Sequence, residues 1–430
     1  MRFETLDAWL SWQESLHPTE IELGLERVHA VLQRLGLGQF ACPVITVAGT
    51  NGKGSSVAML EAIYIAAGYR VGTYTSPHLL NYNERVRING EPVDDQALCD
   101  AFERIDQTRD ETSLTYFEFG TLAAIEIFAN ANLDVVIMEV GLGGRLDAVN
   151  VLDADVALIT PIALDHADWL GNDRETIGRE KAGIMRAGRP VVCGDTDPPV
   201  SVQQMAESLG ATLYQAGRDF SWQVQGEQWR WRGSERVRDA LPEPALRGRF
   251  QLDNAAAALM VTELLIGRLP LSQAHVREGL ANVKVLGRFQ VLTGDVPLIL
   301  DVAHNPQAAE ALAANLAARP MPGQIFAVTA MMADKEIEAI FGALAGVVDH
   351  WYLTSVDLPR AAKAEALATA LQQVGAQAEY ELSASVTGAL KALEGRVRPN
   401  DRVVVFGSFY TVAEVLASDY NAGLVQQKAS

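Results

Sequence analysis

The stretch VITVAGTNGKGSSVAMLEAIYIAAG (residues 44–68) decides the fold, because it reads as a strand, a glycine-rich loop and a helix in succession. VITVAG is typical of a strand buried on both faces, and SSVAMLEAIYIAAG is long enough for a helix. The loop between them comes close to the phosphate-binding pattern G-x-x-x-x-G-K-[ST]. It departs from that pattern at two points: Val47 stands where the first glycine is expected, and Gly54 separates Lys53 from Ser55.

The loop still has the groups that an anion requires. Glycines allow successive backbone N–H groups to turn towards one anion, and a helix N-terminus adds partial positive charge. Lys53 can reach a terminal phosphate as a point charge, and Ser55 or Ser56 can face a metal ion. We therefore expect a nucleoside triphosphate to bind here in a variant geometry.

The length, net charge and cysteine content of the chain limit the classes of function that it can have. A chain of 430 residues is too long for one ordinary core, so two domains are expected. The net charge of −19 disfavours nucleic acid as a partner, so an anionic substrate must be held by local cations, metal and backbone N–H groups. The three cysteines form no Cys-x-x-Cys pair, and neither a signal peptide nor a bilayer-spanning apolar run is present. We expect a cytoplasmic protein without a membrane partner.

Strand and helix patterns alternate along the chain, which predicts an α/β fold with a mostly parallel sheet in a P-loop-type N-terminal domain. Its predicted strands are 44–49, 70–76, 134–141, 155–162 and 189–195, and its predicted helices are 55–68, 116–133, 174–188 and 254–267. The Trp-rich stretch 215–245 predicts a small antiparallel flap.

A second alternation predicts a smaller, Rossmann-like α/β domain at the C-terminus. Its predicted strands are 297–304, 324–330, 350–355 and 401–408, and its predicted helices are 306–320, 361–375 and 385–395. We place the two domains at 1–287 and 288–430.

Polar side chains follow the predicted strands of the first domain, at the edge where ligands bind in open α/β sheets. Ser76, Glu139 and His166 each come at or just after the end of a strand. A hydroxyl, a carboxylate and an imidazole beside phosphate oxygens suit Mg²⁺ or Mn²⁺. The alternative for His166 is an ordinary loop histidine.

Taken together, these motifs resemble the dihydrofolate synthase/folylpolyglutamate synthase family and, more distantly, the Mur peptide ligases. The resemblance extends from about residue 16 to residue 412, and the shortened loop is that family's own form. The motifs that support it are GTNGKGS (49–55), TSPHL (75–79), ERVRING (84–90), LTYFEFGTLAA (114–124), EVGLGGRLDA (139–148), DHADWLG (165–171), REKAGI (179–184), GRFQ (287–290), DVAHNP (301–306) and GSF (407–409).

The resemblance implies an ATP-dependent ligase, a monomer, that joins L-glutamate to dihydropteroate and further glutamates to reduced folates through an acyl phosphate. It implies one or two Mg²⁺ ions, with Lys181 carbamylated near the second. The implied ATP-binding residues are Thr50, Asn51, Gly52, Lys53, Asn254, Arg288 and Asp301, and the implied metal ligands are Ser76, Glu139, His166 and Lys181.

The implied substrate residues form two groups. The pteroate site would be lined by Glu22, Thr115, Tyr116, Phe117, Glu118, Leu146, Asp147 and Ala148. Asp301, His304 and Ser408 would bind the incoming glutamate, with Lys53, Lys181, Asp301 and His304 taking part in catalysis.

Each assignment has a structural alternative. Without the resemblance, Lys181 reads as an ordinary helix lysine and the aromatic residues at 116–119 as core, and His304 reads as a helix-capping residue in the alternative.

Two other functions remain open at this point. A Mur-type ligase acting on a nucleotide-sugar peptide would use the same chemistry, although LTYFEFG and LERV favour a pteroate ligand. A regulatory ATPase without ligation would turn over ATP independently of glutamate and would leave DVAHNP and GSF without a role.

Overall fold

Two compact units make up the fold of the computed structural model, which describes residues 1–375 and 379–418. Unit 1 consists of Met1–Ala245 and Gln251–Val283, and unit 2 of Leu246–Phe250 and Lys284–Ser430. The predicted domains, 1–287 and 288–430, differ from this division in the place of the boundary and in the short segment Leu246–Phe250.

Unit 1 is built on an eight-stranded sheet with the strand order β4-β3-β2-β5-β1-β6-β7-β8. From β2 to β8 all neighbouring strands are parallel, and β3 and β4 add an antiparallel edge. The strands are β1 (Val44–Ala48), β2 (Val71–Tyr74), β3 (Val86–Ile88), β4 (Glu91–Pro92), β5 (Val135–Glu139), β6 (Val156–Ile159), β7 (Pro190–Cys193) and β8 (Thr212–Gln215).

Helices connect these strands. They are α1 (Leu6–Leu16), α2 (Glu26–Arg34), α3 (Lys53–Ala66), α4 (Asp95–Arg109), α5 (Tyr116–Ala129), α6 (Ala167–Leu170), α7 (Arg174–Ala182), α8 (Val200–Leu209), α9 (Phe250–Leu264) and α10 (Gln273–Asn282). Short 3₁₀ helices cover Tyr82–Arg85 and Ala148–Val151. The predicted flap is a three-stranded antiparallel sheet of β9 (Ser221–Gln225), β10 (Gln228–Arg232) and β11 (Val237–Pro242).

Burial explains why the central strands read as continuous apolar runs. All five residues of β1 and all five of β5 are buried, as expected for strands covered on both faces. Because β1, β2, β5 and β6 are parallel neighbours, the segments that follow them meet at one edge of the sheet. This edge positions the candidate site of unit 1.

Unit 2 contains a six-stranded sheet with the order β12-β13-β17-β14-β15-β16, parallel except for the β12–β13 pair. Its strands are β12 (Gln290–Leu292), β13 (Leu298–Asp301), β14 (Ile325–Thr329), β15 (His350–Leu353), β16 (Glu379–Leu382) and β17 (Arg402–Phe406). Its helices are α11 (Pro306–Ala317), α12 (Ile337–Leu344), α13 (Ala364–Gln373), α14 (Val386–Leu393) and α15 (Phe409–Ala417).

The predicted fold class is confirmed: a parallel-rich α/β unit is followed by a smaller α/β unit. Within residues 1–375 and 379–418, no helix has both the length and the apolar character needed to cross a bilayer.

Candidate active site

The glycine-rich loop lies between β1 and α3, as the sequence predicts. Lys53 Nζ donates to the carbonyl oxygens of Gly49 at 3.0 Å and Thr50 at 3.2 Å. The Thr50 N–H donates to the Pro161 oxygen at 3.0 Å, which ties the loop to the segment after β6. The N-cap residue of α3, Gly52, has no side chain with which to cap the helix, and N–H groups at the start of a helix can donate to an anion.

Gly52 brings Asn254 against this loop. Gly52 has φ +95°, and a Cβ there would lie 2.4 Å from Asn254 Oδ1, so only glycine fits. Asn254 Nδ2 donates to Gln251 Oε1 at 2.9 Å, and Gln251 Nε2 donates to Ser55 Oγ at 3.4 Å. Two predicted ATP-binding residues thus meet, and buried Gln251, which sequence reasoning missed, connects them to α3.

Glu139 and Ser76 meet at the ends of β5 and β2. Glu139 is buried, and its Oε2 accepts the Ser76 N–H at 3.3 Å. His166 lies after β6 at the start of α6, and its N–H donates to Asp165 Oδ1 at 2.9 Å. The ring of His166 is partly exposed, with Nε2 3.9 Å from Asp165 Oδ2.

A hydrogen bond joins Ser76 to Glu139, and the use of these two residues and His166 as metal ligands stays a prediction. One buried carboxylate, one hydroxyl and one imidazole are the ligand types that Mg²⁺ and Mn²⁺ accept. Among the residues described, no group of three or more His, Cys, Asp or Glu side chains is placed to hold a metal ion. The predicted ligands Ser76, Glu139, His166 and Lys181 include only two side chains of these four types.

Lys181 lies on α7 and reaches the same loop. Its Nζ is buried and donates to the Gly49 oxygen at 2.9 Å, so Lys181 and Lys53 share one acceptor. Burial, assisted by the charge of Lys53, lowers the pKa of Lys181 to about 7. An amine with this pKa is neutral much more often than an exposed lysine.

Asp147 connects the segment after β5 to this group of charges. It is buried, its Oδ2 accepts the Leu142 N–H at 2.8 Å and its Oδ1 accepts the Val149 N–H at 3.0 Å. Burial raises the pKa of Asp147 to about 6, although these N–H donors and Lys53 oppose the shift. The N–H of Gly24 donates to the Leu146 oxygen at 3.2 Å, which joins two of the predicted pteroate segments.

The third predicted pteroate segment begins α5. Thr115 and Glu118 form a capping box: the Thr115 N–H donates to Glu118 Oε2 at 2.8 Å, and the Glu118 N–H donates to Thr115 Oγ1 at 3.2 Å. Phe117 is half-buried, and its Cζ lies 2.6 Å from the position of a Cβ on Gly141, so its ring covers the backbone just after β5. The half-buried Tyr116 ring packs against Tyr82 with centroids 5.6 Å apart.

In unit 2, the predicted site residues Asp301, His304 and Ser408 lie at or just after the ends of β13 and β17. Asp301 is buried, and its oxygens accept the N–H groups of Phe289 at 2.9 Å and Ala303 at 2.8 Å. Burial raises the pKa of Asp301, while Arg288 opposes the shift. His304 Nδ1 lies 2.7 Å from the Val302 oxygen, which places the proton on Nδ1 and the lone pair on Nε2.

Ser408 and Phe409 complete this group. Ser408 caps α15, because its Oγ accepts the Thr411 N–H at 3.0 Å. The Phe409 ring lies 6.2 Å from the His304 ring and 5.3 Å from Arg288 Cζ. Phe409 belongs to the GSF motif, but the sequence gives no sign that its ring lies near both Arg288 and His304.

Arg27 is a third residue that the sequence patterns do not reveal. It donates to the carboxylates of both Glu22 and Glu118. The available signal was an arginine in LERV, close to Glu22, but nothing in the sequence indicates that it reaches Glu118 as well.

Known proteins resemble this chain over nearly all of its length. The Mur ligase middle domain family matches residues 47–262, and the Mur ligase glutamate ligase domain family matches residues 287–409. The dihydrofolate synthase/folylpolyglutamate synthase of Escherichia coli K12 is 45% identical over 411 residues, which are 96% of this chain and 94% of the relative.

Solved structures agree with the sequence relatives. E. coli FolC in complex with DHPP and ADP has a TM-score of 0.92 and 43% identity and covers 99% of both chains. A bifunctional folylpolyglutamate synthase/dihydrofolate synthase with Mn, AMPPNP and L-glutamate bound has a TM-score of 0.89 and 47% identity, covering 96% of this chain and 98% of that one. This chain belongs to the Mur ligase family, among its dihydrofolate synthases/folylpolyglutamate synthases.

Proposed function

We propose that the chain is an ATP-dependent amide-forming ligase that joins L-glutamate to dihydropteroate and adds further glutamates to reduced folates. Its relatives are named for these two activities and match it over 96% of its length. One structural observation carries the proposal. The glycine-rich loop, which ends at Lys53, lies at the same sheet edge as the buried carboxylate of Glu139.

The first chemical step is phosphoryl transfer to a carboxylate. An oxygen of the substrate carboxylate attacks the γ-phosphorus of ATP, the bond to the β–γ bridging oxygen breaks, and ADP leaves with that electron pair. Lys53 and the N–H groups at the start of α3 are positioned to stabilise charge on the phosphoryl oxygens. Mg²⁺, which Ser76, Glu139 and His166 would hold, supplies further positive charge there when bound.

The second step forms the amide. The glutamate amine attacks the acyl carbon, phosphate leaves, and the amine gives up a proton. We assign the proton acceptor to His304 Nε2, because the hydrogen bond from Nδ1 to Val302 leaves the lone pair on Nε2. Asp301 and Ser408 are proposed to help bind glutamate, and Arg288, Asp301, Asn254 and residues 50–53 to bind ATP.

We also propose a carbamate on Lys181. An ammonium group first loses one proton; CO₂ then adds to the neutral amine, an N–C bond forms and a second proton leaves, so that the side chain becomes an anion. The burial of Lys181 and its hydrogen bond to Gly49 of the loop support this assignment, because a second metal ion near the phosphates would need an anionic ligand.

Several assignments remain predictions. Glu22, Thr115–Glu118 and Leu146–Ala148 are proposed to line the pteroate site, and the monomeric state and the cytoplasmic location are proposals as well. The domain limits 1–287 and 288–430 also stay a proposal.

A coupled assay of ADP release tests the function. We expect release to require both L-glutamate and dihydropteroate, with dihydrofolate as the product identified by mass spectrometry. ATP turnover independent of glutamate would instead support the regulatory ATPase. Turnover only with a nucleotide-sugar peptide would support the Mur-type ligase.

A further inference from the structure

Arg27, on α2, uses every nitrogen of its guanidinium group on two acidic residues. Nη2 donates to Glu118 Oε1 at 3.0 Å and to the backbone oxygen of Glu22 at 2.8 Å. Nε donates to the two oxygens of Glu118 at 3.2 and 3.3 Å, and Nη1 donates to the Glu22 carboxylate. This planar fork is specific to arginine, because a lysine ammonium is a single point charge.

The two carboxylates that Arg27 joins differ in what else they can bind. Glu118 is buried and also accepts the Thr115 N–H at 2.8 Å, so it is committed to the start of α5. The Glu22 side chain is 48% exposed, and its Oε2 lies 2.9 Å from His17 Nε2. Arg27 on one side and His17 on the other therefore fix the direction of a carboxylate that solvent, or a ligand, can still reach.

Electrostatics keep Glu22 an acceptor. The hydrogen bond from His17 and the charge of Arg27 hold the pKa of Glu22 below its usual value. A carboxylate of this kind accepts N–H donors, and the half-buried rings of Tyr116 and Phe117 offer flat apolar surface in the adjoining segment. Together, these groups can bind a flat heteroaromatic ring that carries several N–H donors.

We propose that Arg27 is a positioning residue for the pterin ring of dihydropteroate, acting by holding Glu22 at a fixed place relative to the start of α5. The inference rests on the proposed function, because it takes dihydropteroate as the ligand. Without the guanidinium, two carboxylates would face each other with no cation between them, and the buried Glu118 would repel Glu22. Glu22 would then turn away from the ligand.

The test is a kinetic comparison of variants. For Arg27→Met we expect the KM for dihydropteroate to rise about tenfold, while the KM values for ATP and L-glutamate stay within about twofold. Arg27→Lys keeps the charge but cannot bridge both carboxylates, so its KM for dihydropteroate should lie between those of wild type and Arg27→Met. It also gives a second variant should Arg27→Met fold poorly.

Arg34→Met is the matched control. Arg34 lies on the same helix, and its Nη1 donates to the Arg109 oxygen at 2.7 Å and to Thr112 Oγ1 at 3.0 Å. The Arg34→Met substitution removes hydrogen bonds from an arginine of the same helix but leaves the contacts of Arg27 with Glu22 and Glu118 in place. The KM for dihydropteroate should therefore not change.

A double-mutant cycle with Glu22→Gln shows whether Arg27 acts through Glu22. We expect the double variant Arg27→Met/Glu22→Gln to have nearly the same KM for dihydropteroate as the worse single variant. Additive effects would overturn the proposal. So would an unchanged KM in Arg27→Met, or a parallel change in all three KM values together with a lowered melting temperature.

Wild-type kinetics separate the two levels of the proposal. If the wild type shows no glutamate-dependent turnover of dihydropteroate, the proposed function fails and the inference fails with it. If the wild type turns over dihydropteroate and Arg27→Met keeps its KM, only the role of Arg27 is refuted.

Discussion

Lys53 is the residue on which the proposed phosphoryl transfer depends most. Its ammonium group donates hydrogen bonds to the carbonyl oxygens of Gly49 and Thr50, where the loop ends and α3 begins. We expect Lys53→Ala to lower kcat about 100-fold or more, because positioned charge of this kind is lost from the transition state. The measurement is ADP release at saturating substrates.

The control for this prediction is Lys391→Ala, which removes an exposed lysine from α14. Its turnover should match the wild type, and the melting temperatures of both variants should stay close to the wild-type value. Near-normal turnover of Lys53→Ala would remove the phosphate assignment.

Lys181 is the residue on which the proposed carbamate depends. Its amine is buried beside the loop, and burial lowers its pKa to about 7, so a neutral amine is available to react with CO₂. We expect the intact protein in bicarbonate to carry the carbamate at Lys181 in a crystallographic map. Lys181→Ala should lose most activity and regain part of it with added acetate, which can replace the missing carboxylate.

Lys53→Ala is the matched comparison for the rescue experiment, because acetate cannot replace a lost cation. An unmodified Lys181 together with a fully active Lys181→Ala variant would refute the carbamate.

Element boundaries show what could be read from the sequence and what could not. Strands β1 and β5 were predicted because burial on both faces leaves continuous apolar runs. The predicted helix 174–188 ends earlier, at Ala182, with Gly183 as its C-cap residue. Helix α4 was missed although its signals are present: Asp94 caps it, and Leu98, Phe102 and Ile105 form its buried face.

Contacts between elements explain the remaining gaps. Arg27 and Glu118 meet only because α2 and α5 lie side by side in the folded chain, and a sequence separation of 91 residues gives no local signal. By contrast, Lys53 and Glu139 follow strands that the pattern itself identifies, so their place at the sheet edge was predictable.

A buried ion pair joins α3 to β3 and predicts a pH-dependent stability. Glu61 is buried. Its Oε2 accepts a hydrogen bond from Arg87 Nη2 at 2.7 Å, and its Oε1 accepts one from Thr73 Oγ1 at 2.9 Å. Burial raises the pKa of Glu61, although Arg87 and Thr73 oppose the shift. The folded chain therefore binds the Glu61 proton more readily than the unfolded chain, and the contribution of Glu61 to stability falls as pH rises above its ordinary pKa.

Arg87→Met removes the opposing cation and raises the pKa of Glu61 further. We expect a loss of about 3 kcal/mol in the free energy of unfolding at pH 8, because a buried carboxylate is left without its cation. At pH 5 the loss should be smaller, since Glu61 is then protonated more often. Urea unfolding at the two pH values measures both.

Glu61→Gln/Arg87→Met is the control for this prediction. The double variant has no titrating carboxylate at position 61, so the pH dependence of the loss should disappear. A loss in Arg87→Met that is equal at pH 5 and pH 8 would show that Arg87 acts through packing alone.

For the whole molecule, the question is how one chain can catalyse two ligations. The pair Gly52–Lys53 is the only Gly-Lys dipeptide in the 430 residues, so the sequence offers one loop of this kind. Both proposed reactions begin with phosphoryl transfer to a carboxylate, and both acceptors carry a pterin. We therefore predict that a single phosphoryl-transfer centre serves both reactions.

A mixed-substrate assay tests this prediction. With dihydropteroate and a reduced folate both saturating, we expect a total rate of ADP release between the two separate rates, because the substrates compete for one centre. Two independent centres would give the sum of the separate rates.

Lys53→Ala should lower both activities together, whereas Phe117→Ala should impair dihydropteroate use more than extension of a folate that already carries glutamate. Equal loss of both activities in Phe117→Ala, with a lowered melting temperature, would show that its half-buried ring serves packing and not the pteroate ligand.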